Sequence, residues 1–168
     1  MGRTFLLLAA AALALGACGY HFSQRYVAAG GVDRIRVRPF VNASTEPELG
    51  AVVTAALRSE LARRGSDGGD GAAVLDGEVR ASEPVLTSNT GTTWAYGPPG
   101  SVGSTWRVGI EVRARLVAGS SPPLERTVRR ETDFLTGVDP LETEGRRAVA
   151  LRLVADEVAR DLLRACER

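Results

Sequence analysis

The sequence contains no lysine, one histidine, two cysteines and few aromatic residues. All 21 basic side chains are therefore arginines, and 20 acidic ones balance them. One histidine and two cysteines exclude most metal sites and most histidine-based catalysis. A formal charge of +1 argues against a general nucleic-acid binder, which needs a basic surplus to displace phosphate counterions. The 168 residues, of which 44% are hydrophobic, are typical of a folded chain with one domain or two small ones.

The first residues predict a cleaved signal peptide rather than a part of the fold. The apolar run from Phe5 to Leu15 has the length of a signal-peptide core and is too short to span a bilayer comfortably. It leads into Leu15-Gly16-Ala17-Cys18, which resembles a bacterial lipobox. We predict a lipoprotein signal peptide at residues 1–17, lipidation of Cys18 and a lipidated tether over residues 18–31. The alternative is an ordinary secretory signal with an incidental cysteine.

A first amphipathic helix is predicted from about Glu46 to Arg64. Thr45-x-x-Glu48 has the form of a capping box, and Pro47 suits the first helical turn. The apolar stripe that follows repeats at spacings of three and four residues. Gly65 is expected to take the left-handed conformation that ends many helices.

A second helix is predicted from Asp139 towards the C-terminus. Asp139 is a good N-cap residue, and Pro140 occupies the first helical position, where a missing N–H costs nothing. Cys166 lies on the apolar stripe of this helix, so we expect it to be a small core residue rather than a reactive thiol.

Four strands are predicted, at Val32–Phe40, Ala73–Ser82, Thr105–Val117 and Leu124–Leu135. Charge pairing selects the register of the last two. One register places Arg107 opposite Asp133 and Glu111 opposite Arg129, whereas a shift by two residues places Glu111 opposite Glu131. Because opposite charges across strands help and like charges hurt, we predict the first register. It leaves Arg126 and Arg130 on the apolar face, where they need partners or a place at the edge.

This order of elements, β-α-β-β-β-α, predicts an α+β two-layer sandwich. Two amphipathic helices need one apolar sheet face to cover, so we expect them to pack on one side of a four-stranded mixed sheet. Residues 32–168 are expected to form this single domain. The first and second strands should be parallel neighbours, and the last three should form an antiparallel meander.

Residues 83–104 are rich in glycine, serine, threonine and proline, and we expect a long loop there. Trp94 and Tyr96 lie in this loop outside any periodic stripe, and exposed aromatic rings of this kind are plausible anchors for a partner or an amphiphile. The alternative is that they fold back onto the sheet. No catalytic motif is present, so the sequence favours a binding protein without cofactors over an enzyme.

Several segments, in order, resemble the LptE family of lipopolysaccharide-assembly lipoproteins. They are Cys18-Gly19-Tyr20-His21-Phe22, the run from Ile35 to Asn42 that leads into the first helix, Leu75-Asp76-Gly77-Glu78-Val79, and the strand from Arg107 to Leu116. The resemblance implies two helices on a four-stranded sheet. It also implies an outer-membrane lipoprotein that plugs and helps to assemble the LptD β-barrel and contacts lipopolysaccharide.

The resemblance makes basic residues beside the 83–104 loop candidates for contact with lipid A phosphates, to which arginine donates paired hydrogen bonds. Arg80 and Arg107 flank the loop and, with Trp94 and Tyr96, are the candidate contacts with lipopolysaccharide or the barrel. A second interpretation is open, because Pro39-Phe40-x-Asn42 after a strand also resembles other envelope lipoproteins. These include peptidoglycan synthase activators and curli-type secretion components. The short tether favours a partner close to the outer membrane.

Overall fold

Two helices cover one face of a mixed sheet in the computed structural model, which describes residues 26–69, 72–90 and 103–167. In chain order the elements are β1 (Ile35–Val37), β2 (Val41–Asn42), α1 (Leu49–Arg63), β3 (Ala73–Ala81), β4 (Val85–Thr90), β5 (Gly103–Val117), β6 (Leu124–Leu135) and α2 (Pro140–Cys166). The predicted α+β two-layer sandwich is confirmed.

The sheet has six strands, which lie along four lines. Both β1 and β2 pair in parallel with β3. Both β3 and β4 pair antiparallel with one edge of β5, and β6 pairs with its opposite edge. The four expected lines of strand are therefore present, but two of them are divided, the first into β1 and β2 and the second into β3 and β4. Both β2 and β4 lie beyond the bounds predicted for those strands.

The first division lies at Pro39, which has no N–H to donate to the sheet. The next N–H, that of Phe40, turns away from the sheet and donates to Oγ1 of Thr54 in α1 at 3.0 Å. Gly50 allows this approach, because a side chain there would collide with the Phe40 carbonyl oxygen. The break in the strand thus docks α1 against the sheet.

The second division corrects the loop predicted over residues 83–104. Val85–Thr90 is a strand that pairs with the start of β5, and a register shift between Leu86 and Ser88 marks an irregularity in the pairing. The meander therefore extends further than the sequence indicated, because a polar strand that lacks an alternating apolar pattern still gains backbone hydrogen bonds at an existing sheet edge. Residues 91–102 lie outside the described residues.

The predicted register of β5 and β6 is confirmed. Arg107 faces Asp133, Glu111 faces Arg129 and Trp106 faces Phe134. Of the expected ion pairs across the two strands, Arg107–Asp133 closes at 2.8 Å. Arg129 instead contacts Glu131 of its own strand at 2.6 Å. Cross-strand charge therefore helps to select the register even where the side chains then choose nearer partners.

The predicted start of the first helix is wrong, since α1 begins at Leu49 and no side chain caps it. The side chain of Asn42 organises the preceding turn: its amide donates to the Glu46 carbonyl at 2.6 Å, and its oxygen accepts from the Ser44 N–H at 3.1 Å. The Glu46 carboxylate in turn forms an ion pair with Arg147 of α2. These contacts hold residues 44–48 as a turn, so the capping box does not form.

The end of α1 follows the prediction. Gly65 has a φ of +67°, a conformation that glycine adopts at no steric cost. The Ser66 N–H donates to the Leu61 carbonyl at 2.9 Å and the Gly65 N–H to the Ala62 carbonyl at 3.0 Å. This is the hydrogen-bond pattern of a Schellman motif, which satisfies carbonyls that the helix leaves open.

The second helix begins as predicted, with the Asp139 carboxylate accepting from the Glu142 N–H at 2.7 Å. The two arginines left on the apolar face find partners on α2. Arg126 donates to the Ala165 carbonyl at 2.9 Å, and Arg130 donates to the Asp161 carboxylate at 2.5 Å. Both contacts dock the C-terminal half of α2 against β6.

Residues 26–32, which we call the N-terminal strap, correct the end of the tether predicted over residues 18–31. Tyr26 is 3% exposed and Ala28 is 2% exposed, so both belong to the core. The Tyr26 hydroxyl donates to the Leu163 carbonyl at 3.0 Å, and the Arg64 guanidinium lies over its ring. An aromatic ring with a hydrogen-bond partner at hand gains more from burial than from exposure in a linker.

Candidate interaction site

The two arginines singled out from the sequence lie on the sheet face that the helices leave uncovered. Arg80 stands opposite Glu111 across β3 and β5, and Arg107 stands opposite Asp133 across β5 and β6. Four residues of β5 separate their positions, which is about 13 Å along a strand. The structure therefore puts both on one face but does not bring them together.

Each of these arginines is engaged by a carboxylate. Nε of Arg80 lies 2.6 Å from Oε1 of Glu78. Arg107 makes two hydrogen bonds to Asp133, at 2.8 and 3.2 Å. The hydrogen bond from Arg107 is the main reason why the pKa of the Asp133 carboxyl is lowered. A phosphate would have to displace an acid at either position.

The same pairing extends over the part of the uncovered face that β3, β5 and β6 form. Each of its arginines on β3, β5 and β6 lies within salt-bridge distance of an acid, in the pairs Arg80–Glu78, Arg107–Asp133, Arg113–Glu111, Arg115–Asp76 and Arg129–Glu131. A depression of about 300 Å³ opens at Gly109, between Arg80 and Arg129. The face is a balanced mosaic of charge and not a basic patch.

A larger cavity, an open groove of about 770 Å³, lies between the end of β6 and the N-terminal half of α2. We call it the apolar groove. Its apolar lining consists of Phe134, Leu135, Val149, Ala150 and Leu153. Val149 is 54% exposed and Leu153 is 59% exposed, which are high values for aliphatic residues on a helix packed against a sheet. Exposed apolar surface of this kind marks interaction sites.

Gly145 widens the apolar groove. It stands one turn before Val149 in the row that also contains Leu141 and Leu153, and a side chain added there would meet nothing within 4 Å. Glycine within a helix costs about 1 kcal/mol relative to alanine. In the described part of the chain no packing contact requires this glycine, and its missing side chain leaves this part of the groove open.

Charged side chains form the rim of the apolar groove near the start of α2. Arg146 contacts Glu142 at 2.6 Å and donates to the Thr136 carbonyl at 3.0 Å. Glu142 accepts from the Val138 N–H at 2.8 Å, and this hydrogen bond is the main reason why its pKa is lowered. These contacts hold the rim in place beside the apolar floor.

The groove was missed from the sequence because only one apolar stripe of α2 was considered. A second row, Leu141, Val149 and Leu153, recurs at multiples of four residues on another face of the helix. That row was the available signal. Trp94, Tyr96 and Cys18 lie outside the described residues, so their roles stay predictions.

Within the described ranges, no helix is long and apolar enough to cross a membrane. The same residues contain no group of three or more potential metal ligands placed to hold an ion. Cys166 is 1% exposed, and burial raises the pKa of its thiol, so it is the predicted core residue.

Comparison with known families identifies the chain. The family model LptE, described as lipopolysaccharide-assembly, matches residues 32–166. The chain belongs to the LptE family. This match covers the domain from β1 to the end of α2 and confirms the resemblance seen in the sequence. A search for relatives among curated proteins finds no match to this sequence.

Solved structures of other lipoproteins share the LptE fold of this chain. A lipoprotein from Caulobacter crescentus is 15% identical, with a TM-score of 0.52, over 77% of this chain and 88% of its own. The rare lipoprotein B of Shewanella oneidensis is 14% identical, with a TM-score of 0.50, over 75% of this chain and 91% of its own. A minor lipoprotein of Acinetobacter baumannii is also 14% identical, with a TM-score of 0.50, over 80% of this chain and 90% of its own.

Membership in the LptE family decides several of the expectations drawn from the sequence. The family acts in lipopolysaccharide assembly and is not a family of enzymes, so the expectation of a binding protein without catalysis is confirmed. The family is not known to use cofactors, in agreement with the expectation of none. Its members are outer-membrane lipoproteins that associate with LptD and lipopolysaccharide.

Proposed function

We propose that this LptE-family chain is anchored through lipidated Cys18 on the periplasmic side of the outer membrane. There it plugs and helps to assemble an LptD barrel and assists lipopolysaccharide transport to the outer leaflet. The observation that carries the proposal is the family match over residues 32–166, which takes in every helix and strand of the domain.

The uncovered sheet face supports a place inside a barrel. The interior of an outer-membrane barrel is polar, and a balanced mosaic of acids and arginines suits such a wall. Each arginine already has an acidic neighbour, so docking can exchange one ion pair for another without leaving a charge bare. A purely basic face would instead demand an acidic wall.

The apolar groove supplies the other kind of contact that a stable complex needs. Interfaces combine a polar rim with an apolar centre from which water is excluded. Here Phe134, Val149 and Leu153 form the floor, and Glu142 and Arg146 form the rim. We therefore propose the apolar groove as the main apolar contact with the barrel.

Direct contact with lipopolysaccharide is proposed for Arg80, Arg107, Trp94 and Tyr96. Of the two arginines, Arg80 is the better candidate, because it holds its carboxylate by one short hydrogen bond and its side chain is 54% exposed. Arg107 donates hydrogen bonds to Asp133 from two nitrogens, so a phosphate would displace this carboxylate less readily than it would displace Glu78 from Arg80.

The experiment is purification of the tagged, full-length protein from its native membranes in mild detergent, with the co-purifying proteins identified by mass. We expect a large β-barrel in stoichiometric amount. A peptidoglycan synthase or a curli-type secretion component in its place would overturn the proposed function and support the second interpretation of the sequence. Absence of any partner would also contradict it.

A matched pair of variants tests the groove in the same purification. Val149→Asp places a charge on the groove floor, and Val41→Asp makes the same change at a 64% exposed valine near the opposite edge of the sheet. We expect the barrel to co-purify with the Val41→Asp variant and not with the Val149→Asp variant. Equal recovery with both variants, each with wild-type thermal stability, would refute the role of the groove.

The anchor is tested by Cys18→Ala. The thiol of Cys18 is the proposed lipid attachment point, so we expect the variant to leave the membrane fraction and appear in the soluble periplasm. Fractionation after disruption of the barrel partner measures this directly. Continued membrane attachment without the partner would contradict the lipobox interpretation.

A further inference from the structure

The N-terminal strap closes the C-terminal end of α2. The last four carbonyls of a helix lack partners within it, and here each finds a donor. The Leu163 carbonyl accepts from the Tyr26 hydroxyl and the Cys166 carbonyl from the Ala29 N–H at 2.7 Å. Those of Arg164 and Ala165 accept from the Glu167 N–H and the Arg126 side chain. The strap is therefore part of the fold and not of the linker.

Side-chain contacts hold Tyr26 in this position. The Arg64 guanidinium lies 5.3 Å from the centre of its ring and is itself held by Glu60 at 2.8 Å and Glu167 at 2.7 Å. Burial raises the pKa of the Tyr26 hydroxyl, so the proton that it donates to Leu163 is retained at any physiological pH. Tyr26, the first described residue, is thus held firmly at the C-terminal end of α2.

The strap shortens the link between the proposed lipid and the domain. Only the eight peptide steps from Cys18 to Tyr26 remain, and these span at most about 29 Å. The helix α2 has 27 residues, which corresponds to a length of about 40 Å. Tyr26 is hydrogen-bonded to the C-terminal end of α2. If the N-terminal end of α2 touched the membrane in an upright domain, Tyr26 would stand about 40 Å from the bilayer, which is farther than the link can reach.

From this comparison of lengths we infer that the strap end of the domain is held within about 29 Å of the bilayer and is on average the end nearer to it, with the lipid surface as its partner. That end consists of the C-terminus of α2, the strap and the turn between β5 and β6. The start of α2 and the apolar groove are then, on average, farther from the membrane than the strap. This inference rests on the proposed lipidation of Cys18. It excludes an orientation of the free lipoprotein in which α2 stands upright with its N-terminal end at the membrane and the strap at the far end.

Release of the strap would remove the restriction. If the chain were free as far as Val32, the link would have fourteen steps and reach about 50 Å, more than the length of α2. The strap therefore acts as a device that sets orientation by shortening the tether.

The test uses the full-length lipidated protein in phospholipid vesicles that carry an acceptor dye on the lipid headgroups. A donor dye is attached either at Ser120→Cys, in the turn between β5 and β6, or at Val138→Cys, just before α2. Both positions are exposed, whereas the native Cys166 is buried. We expect energy transfer to the membrane to be stronger from position 120, and equal transfer from both positions would overturn the inference.

Two changes to the link complete the test. Eight glycine and serine residues inserted between Phe22 and Ser23, before the first described residue, raise the maximum reach of the link to about 58 Å, and the ratio of the two transfer signals should fall towards one. Tyr26→Ala should act in the same direction by releasing the strap, whereas Tyr26→Phe, which keeps the ring, should retain the wild-type ratio. An unchanged ratio with the inserted link would refute the length argument.

The outcomes separate this inference from the proposed function. A wild-type protein that does not bind the vesicles would overturn the anchor and the orientation together. A protein that binds but shows equal transfer from its two ends would overturn the orientation alone. Co-purification of the barrel is independent of either result, because it does not involve the labelled vesicles.

Discussion

Replacement of Leu57 by alanine tests whether α1 is held by the core in the way that the structure indicates. Leu57 lies in the middle of α1 and is 0% exposed, with Val53 and Leu61 one turn away on either side and equally buried. The truncation removes three carbons from a closed space between the helix and the sheet. The cost combines the lost transfer of apolar atoms from water with the cavity that remains.

For a fully buried leucine this cost is about 2–5 kcal/mol. The whole stability of a domain of this size is on the order of 5–15 kcal/mol, so the change would remove a large part of it. In urea, where the free energy of unfolding falls by about 1–3 kcal/mol per molar, the midpoint should move down by on the order of 1–3 M.

The assay is equilibrium urea unfolding followed by far-ultraviolet circular dichroism. Leu141→Ala is the matched control, since it is the same chemical change at a leucine that is 84% exposed on the other helix. Substitutions at such exposed positions usually change stability by less than about 0.5 kcal/mol. Equal midpoints for Leu57→Ala and Leu141→Ala would refute the view that the α1 stripe forms the core.

Three further changes test local features. Asp139→Ala removes the cap of α2 and should lower the free energy of unfolding by about 1 kcal/mol, whereas Asp139→Asn keeps an acceptor oxygen and should lower it little. Equal decreases in melting temperature for the two variants would contradict the capping role. Gly145→Ala should raise the stability by up to about 1 kcal/mol, because the new methyl group meets no neighbour, and a lowered melting temperature would show that the glycine is needed for packing. The lowered pKa values of Asp133 and Glu142 mean that their contribution is complete above the usual carboxyl pKa and is lost as the pH falls through the folded values. Acid unfolding should therefore begin below about pH 4 and be less steep in the Asp133→Asn, Glu142→Gln double variant, and identical acid profiles would oppose this assignment.

Much of the fold could be predicted because its signals are local. The cap at Asp139 and the left-handed Gly65 each depend on the backbone chemistry of one or two residues. The register of β5 and β6 was also accessible, since opposite charges on neighbouring strands interact directly across the sheet. The strand β4 was not, because its polar sequence carries no alternating pattern.

The candidate site was predictable only in part. Arg80 and Arg107 were predicted only as basic residues that flank the 83–104 loop, and the structure is what places both on the uncovered sheet face. The partner of Arg107 followed from the predicted register, whereas Glu78, the partner of Arg80, is a neighbour on the same strand. The second apolar row of α2 is visible in the sequence, but its position beside Phe134 and Leu135 at the end of β6 is set only by the fold.

By itself, the sequence determined the helices, the main strands, the strand register and the family, because these depend on periodicity, caps and local charge. Only the tertiary structure decided that Asn42 and Arg147 would displace the capping box of α1. It also decided that the supposed tether would end at Tyr26, in contact with Leu163 far along the chain. The Glu46–Arg147 and Tyr26–Leu163 contacts join residues more than a hundred positions apart, and they exist only once packing has brought those residues together.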